Sequence, residues 1–222
     1  MIDIHCHILP GVDDGARTIE EAQQMLHTAA SCGVTDMVAT PHVRQPDLDL
    51  TPIEESYQKL APIARAAGVG LLQGYECNIS ALHPSHLEVA KRYCIQGTSM
   101  LLLEFPFDLW PPNWREIVYC LQALGLKVIV AHPERYLPIQ RDPSLLGELM
   151  DLQCYFQINV SSLKKTGPRR NIVKKLKAEA AIHFVASDAH RVADYLPLVK
   201  AQKKLERIWR YQTTSQFLAL AE

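Results

Sequence analysis

The sequence has little net charge, no long apolar run and no pattern of paired cysteines. Its 23 basic and 24 acidic side chains leave a formal charge of −1 over 222 residues. Such a balance gives no general electrostatic attraction to nucleic acid or to an anionic membrane surface. Apolar runs stay well below the ~20 residues that span a bilayer, and the first residues lack the basic and apolar regions of a secretory signal. We therefore expect no nucleic acid partner and no direct insertion into a membrane.

The six cysteines are scattered singly along the chain, and no two of them form a C-x-x-C motif. In a chain of this size, that spacing indicates reduced thiols and a cytoplasmic location rather than a disulfide framework. With 48% hydrophobic and 21% charged residues, the composition is that of a globular protein. The length favours a single domain over residues 1–222.

Short apolar or β-branched runs alternate with amphipathic helical segments. Seven strand–helix units result, with strands predicted at residues 2–4, 34–40, 69–76, 100–104, 127–132, 154–160 and 181–188. Continuous apolar strands separated by helices are typical of an α/β fold, in which outer helices cover a parallel sheet. Seven units predict a closed or nearly closed TIM-barrel-like (β/α)7 barrel, and an open doubly wound sheet is the alternative. A basic amphipathic helix is predicted at about residues 198–211.

Most of the predicted strands end in a histidine or a carboxylate. The C-terminal strand ends of a barrel converge on one rim, where active sites form. His5 and His7 are two residues apart on extended backbone, so both face the same way, and Asp188 and His190 form a second such pair. Asp14, in the Gly/Asp loop after the first strand, can add a carboxylate to the same rim. The predicted metal ligands are therefore His5, His7, Asp14, His42, Glu76, Glu104, His132, Asp188 and His190.

Nine ligands are too many for one ion, so this set predicts two or three divalent metals. Imidazole and carboxylate without thiolate favour Mn, Fe or Zn. Asp14 and Glu104 are the least secure members, because Asp13 adjoins the first and the second could be a structural partner. A signal cleavage would also remove His5, which strengthens the expected cytoplasmic location.

Residues 1–16, MIDIHCHILPGVDDGA, closely resemble the start of the PHP (polymerase and histidinol phosphatase) superfamily. The nearest branch is the bacterial metal-dependent protein-tyrosine phosphatases of capsule and exopolysaccharide loci. The motifs at residues 39–42, 102–107, 131–136 and 183–190 fall in the same order as those of that branch. The resemblance implies a distorted (β/α)7 barrel with a trinuclear, usually manganese, centre. It also implies hydrolysis of phosphotyrosine on the tail of a membrane-associated, autophosphorylating tyrosine kinase that controls polysaccharide synthesis.

In the mechanism that the resemblance implies, a metal-bridging hydroxide attacks phosphorus and arginines bind the phosphate. Arg135 occupies one such position in the His-Pro-Glu-Arg motif, and its planar guanidinium matches phosphate geometry. The family's second arginine lies five residues beyond the final histidine, where this chain has Tyr195. We expect Arg191, directly after His190, to take over that task. An aromatic wall for the phosphotyrosine ring is a further expectation for Phe107 and its neighbours.

Three alternatives remain at this point. The first is a small-molecule phosphatase of the same superfamily, such as one acting on histidinol phosphate. The second is an amidohydrolase, which also begins with H-x-H. An amidohydrolase, however, has eight strands and commonly a modified lysine where this chain has Glu104. The third is a protein that retains the metals and binds phosphotyrosine with reduced turnover.

Overall fold

A computed structural model of the chain describes residues 1–163, 166–198 and 213–221. The described residues form nine short strands: β1 (Ile2–Cys6), β2 (Asp36–Ala39), β3 (His42–Val43), β4 (Gly70–Gln73), β5 (Glu76–Asn78), β6 (Met100–Glu104), β7 (Lys127–Val130), β8 (Tyr155–Asn159) and β9 (Phe184–Ala186). The α-helices are α1 (Ile19–Ser31), α2 (Thr51–Ala66), α3 (Trp114–Ala123), α4 (Leu137–Arg141), α5 (Ser144–Asp151), α6 (Pro168–Ala178) and α7 (Thr214–Ala221). Short 3-10 turns occupy Ile79–Ala81, Pro84–Tyr93, Pro133–Arg135, Val160–Leu163 and Val192–Tyr195. Residues 199–211 of the predicted tail helix lie outside the described residues.

The strands are parallel and follow one another in chain order. One sheet has the order β1-β2-β4 and the other β3-β5-β6-β7-β8-β9. A short additional strand follows two of the predicted strands, because the backbone is irregular at Thr40 and Pro41 between β2 and β3, and at Gly74 and Tyr75 between β4 and β5. The chain is therefore a mixed α/β protein with a curled, TIM-like parallel sheet. A doubly wound sheet would reverse its strand order, and the described strands do not.

Backbone contacts join the first strand to the residues after the last one. Cys6 bridges Ala189 in parallel. The N–H of His7 donates to the carbonyl of Ala189 at 2.9 Å, and the N–H of Asp188 donates to the carbonyl of His5 at 2.9 Å. The first and last predicted strands are thus neighbours, which places their polar ends on the same rim.

Apolar side chains fill both faces of the curled sheet. The larger cluster packs one strand face against the helices, and a smaller cluster takes the opposite face, including Ile4, Leu102 and Ile129. The pairing of β1 shifts register between Asp3 and Cys6. A register irregularity breaks the alternation of side chains, so that Ile4 can join the smaller cluster while the adjacent His5 enters the polar site.

The helical segment expected between the predicted strands at residues 69–76 and 100–104 does not form an α-helix. The segment Pro84–Tyr93 consists of 3-10 turns interrupted at His86, whose φ is −138°. The side chains of His83 and His86 both lie 2.7 Å from the Ser85 hydroxyl, and such local bonds compete with regular helix. Among the described helices, none has the length and apolar composition that crossing a bilayer requires.

Candidate active site

The structure brings all nine predicted metal ligands together at the carboxyl ends of the strands. They form four overlapping groups in which one nitrogen or oxygen of each member lies within 4.8 Å of the others. The groups are His7, Asp14, His42 and His190; His5, His132 and Asp188; His5, His7 and Glu76; and His42, Glu76 and Glu104. Because several residues belong to two groups, the cluster is continuous.

Glu76 is the carboxylate that most of the imidazoles share. Its Oε2 lies 3.3 Å from Nε2 of His5, 3.3 Å from Nε2 of His7 and 2.9 Å from Nδ1 of His42. Its other oxygen lies 2.8 Å from Nε2 of His132. The Nε2 atoms of His5 and His7 are 3.2 Å apart, so the prediction that these two side chains face the same way is confirmed.

Asp188 and His190 reach the same cluster from the other end of the chain. Oδ1 of Asp188 lies 3.4 Å from Nε2 of His5, and the ring of His190 stacks on that of His7 at 4.0 Å. Two residues of this site have left-handed backbone, His132 at a φ of 29° and Asp188 at a φ of 51°. Such conformations are uncommon for residues other than glycine and cost free energy, but here they turn both side chains into the cluster.

The two adjacent aspartates of the Gly/Asp loop have different contacts. Oδ1 of Asp14 lies 3.2 Å from Nε2 of His42 and 3.5 Å from Nε2 of His190. Asp13 instead lies behind the cluster, where its Oδ2 accepts from Nδ1 of His7 at 2.7 Å. The loop packs so closely that a Cβ on Gly15 would lie 2.0 Å from the carbonyl oxygen of His7. Only glycine permits this approach.

Gln157 supports the cluster from β8, and the sequence interpretation missed it. Its Oε1 lies 3.0 Å from Nδ1 of His5 and accepts from the N–H of His132 at 3.2 Å. Its amide also donates to Asn159, which in turn donates to Oδ2 of Asp188 at 2.7 Å. Alternation along a strand could have found Gln157, since it lies two residues before the strand-end residue Asn159.

Burial and charge act in opposite directions on the ionisable groups of the cluster. Burial alone would lower the pKa of His5, but the carboxylates of Glu76 and Asp188 outweigh it and raise this pKa to about 9. Burial would raise the pKa of Glu76, yet the charge on His5 and a hydrogen bond from His132 hold it well below its ordinary value. The buried carboxylates therefore need positive charge beside them.

Several buried polar atoms of the cluster make no hydrogen bond of good geometry with the described residues, although an imidazole lies close to both carboxylates involved. They are Oε2 of Glu76, Oδ1 of Asp188 and the Nδ1 atoms of His42 and His132. Buried atoms left in this way cost free energy and call for an explanation. Carboxylate oxygens and imidazole nitrogens are the donors that Mn, Fe and Zn accept. The residues present therefore fit a divalent metal centre.

A cavity of about 280 Å³ adjoins the cluster, and its lining includes Asp188, His190 and Arg135. The Nη1 of Arg135 lies 2.5 Å from Oδ2 of Asp188. Its guanidinium also lies 4.6 Å above the ring of Phe107, which is 40% exposed. A cation and an exposed aromatic ring thus stand at the edge of the imidazole–carboxylate cluster.

A sequence profile of the family described as capsular polysaccharide synthesis, CpsB/CapC, matches residues 1–219. The chain belongs to the CpsB/CapC family. Tyrosine-protein phosphatase YwqE of Bacillus subtilis (strain 168) is 35% identical over 198 residues, covering 86% of this chain and 78% of YwqE. Tyrosine-protein phosphatase CpsB of Streptococcus pneumoniae is 31% identical over 217 residues, covering 90% of this chain and 87% of that protein.

A solved structure supports the same family. It comes from the crystal structures of YwqE from Bacillus subtilis and CpsB from Streptococcus pneumoniae, described as unique metal-dependent tyrosine phosphatases. It has a TM-score of 0.75 and 31% identity to this chain, covering 90% of this chain and 86% of the other. The CpsB/CapC family is the one that the opening motif and strand-end residues led us to expect.

This CpsB/CapC chain does not place Arg191 where the sequence interpretation expected it. Nη1 of Arg191 lies 3.8 Å from Oε1 of Glu21 on α1, and Arg191 is not among the residues that line the cavity. Its backbone N–H donates to Asp194 at 2.9 Å, which begins a 3-10 turn and leaves the side chain beside α1. Tyr195, at the position expected for an arginine, is fully buried.

Proposed function

We propose that this protein is a metal-dependent protein-tyrosine phosphatase, a hydrolase of phosphoric monoesters. The observation that carries the proposal is the cluster of imidazoles and carboxylates opening onto a cavity that Arg135 lines. A buried set of oxygen and nitrogen donors beside an arginine suits a phosphoryl group, which needs charge neutralisation and bidentate hydrogen bonds. The tyrosine phosphatase names of the relatives support the same activity.

We propose that the nine clustered side chains hold two or three divalent metals, with Mn favoured and Fe or Zn as alternatives. Support comes from the overlap of the four groups, in which His5, His7, His42 and Glu76 are each shared. Oε2 of Glu76 and Oδ1 of Asp188, which are buried without a hydrogen bond of good geometry, support it as well. When bound, such ions activate a water molecule as the nucleophile and polarise the phosphoryl oxygens.

The chain's own residues orient the substrate. Arg135 presents its guanidinium beside Asp188, where it can donate two parallel hydrogen bonds to phosphoryl oxygens and stabilise the charge that develops on them. Phe107 supports the underside of this guanidinium. Because that ring is partly exposed, it also offers an apolar surface to the ring of a phosphotyrosine.

We further propose a distorted (β/α)7 barrel. β2 with β3, and β4 with β5, count as one strand each, and with the five others they make seven units. The backbone bonds between β1 and the residues after β9 support closure.

The proposed substrate is phosphotyrosine on the tail of a membrane-associated tyrosine autokinase that controls capsule or exopolysaccharide synthesis. The family description as capsular polysaccharide synthesis supports this assignment. We propose a cytoplasmic location, because all six cysteines are free thiols, which is the form favoured by a reducing compartment.

The proposed function is tested by comparing substrates on one Mn-loaded preparation. We expect kcat/KM for a phosphotyrosine peptide to exceed that for the matched phosphoserine peptide and for histidinol phosphate by about 10- to 100-fold. A preference for histidinol phosphate would instead identify a small-molecule phosphatase. Tight binding of the phosphotyrosine peptide without release of phosphate would identify a binding protein, and either result would overturn the proposal.

Replacing Gln157 by leucine is expected to weaken metal binding by about 10- to 100-fold, because groups that orient metal-ligating histidines have effects of that size. The leucine cannot accept from Nδ1 of His5 or from the N–H of His132, both of which Oε1 of Gln157 contacts. Calorimetric titration of the protein with Mn measures the change in metal affinity. The exposed Gln58 on α2 provides the control variant Gln58→Leu, and equal affinities in the two variants would contradict the role of Gln157.

A further inference from the structure

A second arginine lines the cavity beside the imidazole–carboxylate cluster. Arg169 lies in the first turn of α6, far in sequence from Arg135, and both residues line the same cavity together with Asp188 and His190. Arg169 is half-buried. The cavity is therefore bordered by two guanidinium-bearing residues that come from different elements of the fold.

The local backbone explains how Arg169 reaches this place. Gly167 precedes α6 with a φ of 78°, a conformation that glycine adopts readily, and Pro168 then begins the helix. The next residue, Arg170, has another task, because its guanidinium donates to the carbonyl of Leu163. Successive helical residues point about 100° apart, so only one of the two adjacent arginines belongs to the cavity lining.

The carboxylates of the cavity are already engaged by other groups. Oδ2 of Asp188 accepts from Arg135 and Asn159. Oδ2 of Asp194 accepts from the backbone N–H groups of His190 and Arg191. Arg135 pairs with Asp188 and Arg191 lies near Glu21, whereas no ion pair of Arg169 is found among the described residues. Arg169 thus brings a positive charge to the cavity without a described anionic partner.

We propose that Arg169 binds the phosphoryl group of the substrate together with Arg135. This inference rests on the proposed phosphatase function and assigns a residue of its specificity site. A phosphoryl group carries up to two negative charges and three acceptor oxygens, and Arg135 has fewer donors free for them because its guanidinium also contacts Asp188. A second arginine from α6 supplies the additional donors.

The test compares Arg169→Gln and Arg169→Lys with Lys174→Gln, which removes the same charge from an exposed position of α6. Each Mn-loaded variant is assayed with p-nitrophenyl phosphate and a phosphotyrosine peptide, and inorganic phosphate is titrated as inhibitor and, separately, as ligand by calorimetry. We expect Arg169→Gln to lower kcat/KM by about 10- to 100-fold on both substrates and to weaken phosphate binding at least fivefold. Arg169→Lys should show a smaller loss of kcat/KM and of phosphate affinity, because an ammonium keeps the charge but cannot bind two oxygens in parallel. Metal content and Tm should stay at the values of Lys174→Gln.

Each other outcome has a separate meaning. If Arg169→Gln binds phosphate and turns over substrate as Lys174→Gln does, the inference is overturned. If Arg169→Gln fails to fold, the same comparison is made with Arg169→Lys. A loss of kcat/KM confined to the peptide would mean that Arg169 contacts a residue flanking the phosphotyrosine. A loss of bound metal would mean that Arg169 has a structural role. Either result would overturn the inference. If the unmodified protein hydrolyses neither substrate, the proposed function fails, while weaker phosphate binding in Arg169→Gln would still support the contact.

Discussion

Replacing Glu76 by glutamine is expected to lower kcat/KM for a phosphotyrosine peptide by at least about 1,000-fold, which corresponds to roughly 4 kcal/mol of transition-state stabilisation. The change keeps the size of the side chain and removes one negative charge. Glu76 lies within 3.3 Å of His5, His7, His42 and His132, so no other carboxylate of the cluster is shared by as many described imidazoles. An amide offers a single, neutral acceptor oxygen in place of two charged ones, and the metal affinity should fall with the activity.

The measurement has two parts. Metal content after loading with Mn and removal of free ions should drop by one ion or more per chain, and kinetics on the same preparation should show the loss in kcat/KM. Glu55→Gln, at an exposed position of α2, is the matched control and should retain both metal and activity. A Glu76→Gln protein with full metal content and near-normal turnover would refute the assignment of Glu76 as a shared ligand.

Replacing Arg135 by glutamine should reduce kcat by about 100- to 1,000-fold, the range found when a preorganised donor to a developing oxyanion is removed. Arg135 lies against Oδ2 of Asp188 and on the ring of Phe107, so its guanidinium is held in place before substrate arrives. Lysine should recover little of the loss, because it has no planar fork and does not stack in the same way.

Arg141→Gln, at the exposed end of α4, is the control for the loss of a positive charge. Steady-state kinetics on p-nitrophenyl phosphate separate the effects, since a group acting mainly in the transition state lowers kcat and kcat/KM together. A rise in KM with unchanged kcat would instead assign Arg135 to ground-state binding. Unchanged kinetics in Arg135→Gln would remove it from the site.

The imidazole–carboxylate cluster could be predicted from sequence because most of its members lie at the ends of parallel strands. Topology alone brings such positions to one rim, and the pair His5 with His7 needed only the two-residue period of a strand. Asp188 and His190 lie beyond β9, and the left-handed backbone at Asp188 breaks the extended conformation that the prediction assumed for this pair. The resemblance to the phosphatase family was recognised from motifs in the same segments.

The surrounding contacts could not be predicted in the same way, because they depend on turns and on distant backbone. Asp13 and Asp14 are adjacent in a loop, and the contacts of Asp13 with His7 and with the backbone N–H groups of Gly15 and His42 place it behind the cluster. Arg191 follows His190 directly, yet the 3-10 turn after it leaves its side chain beside Glu21. The short strands β3 and β5 begin beyond irregular backbone at Thr40 and Gly74, and the apolar pattern did not predict them.

The left-handed backbone at His132 and Asp188 makes the active site a place where stability and activity compete. Either position would lose its strain if glycine stood there. The buried oxygens of Glu76 and Asp188 that make no hydrogen bond of good geometry would cease to be a cost in the metal-free protein if apolar groups of similar shape replaced them. A library of variants screened only for resistance to heat should therefore accumulate changes at the strand ends and lose turnover. A screen that requires phosphate release at each round should keep these residues and find its gains in the helices instead.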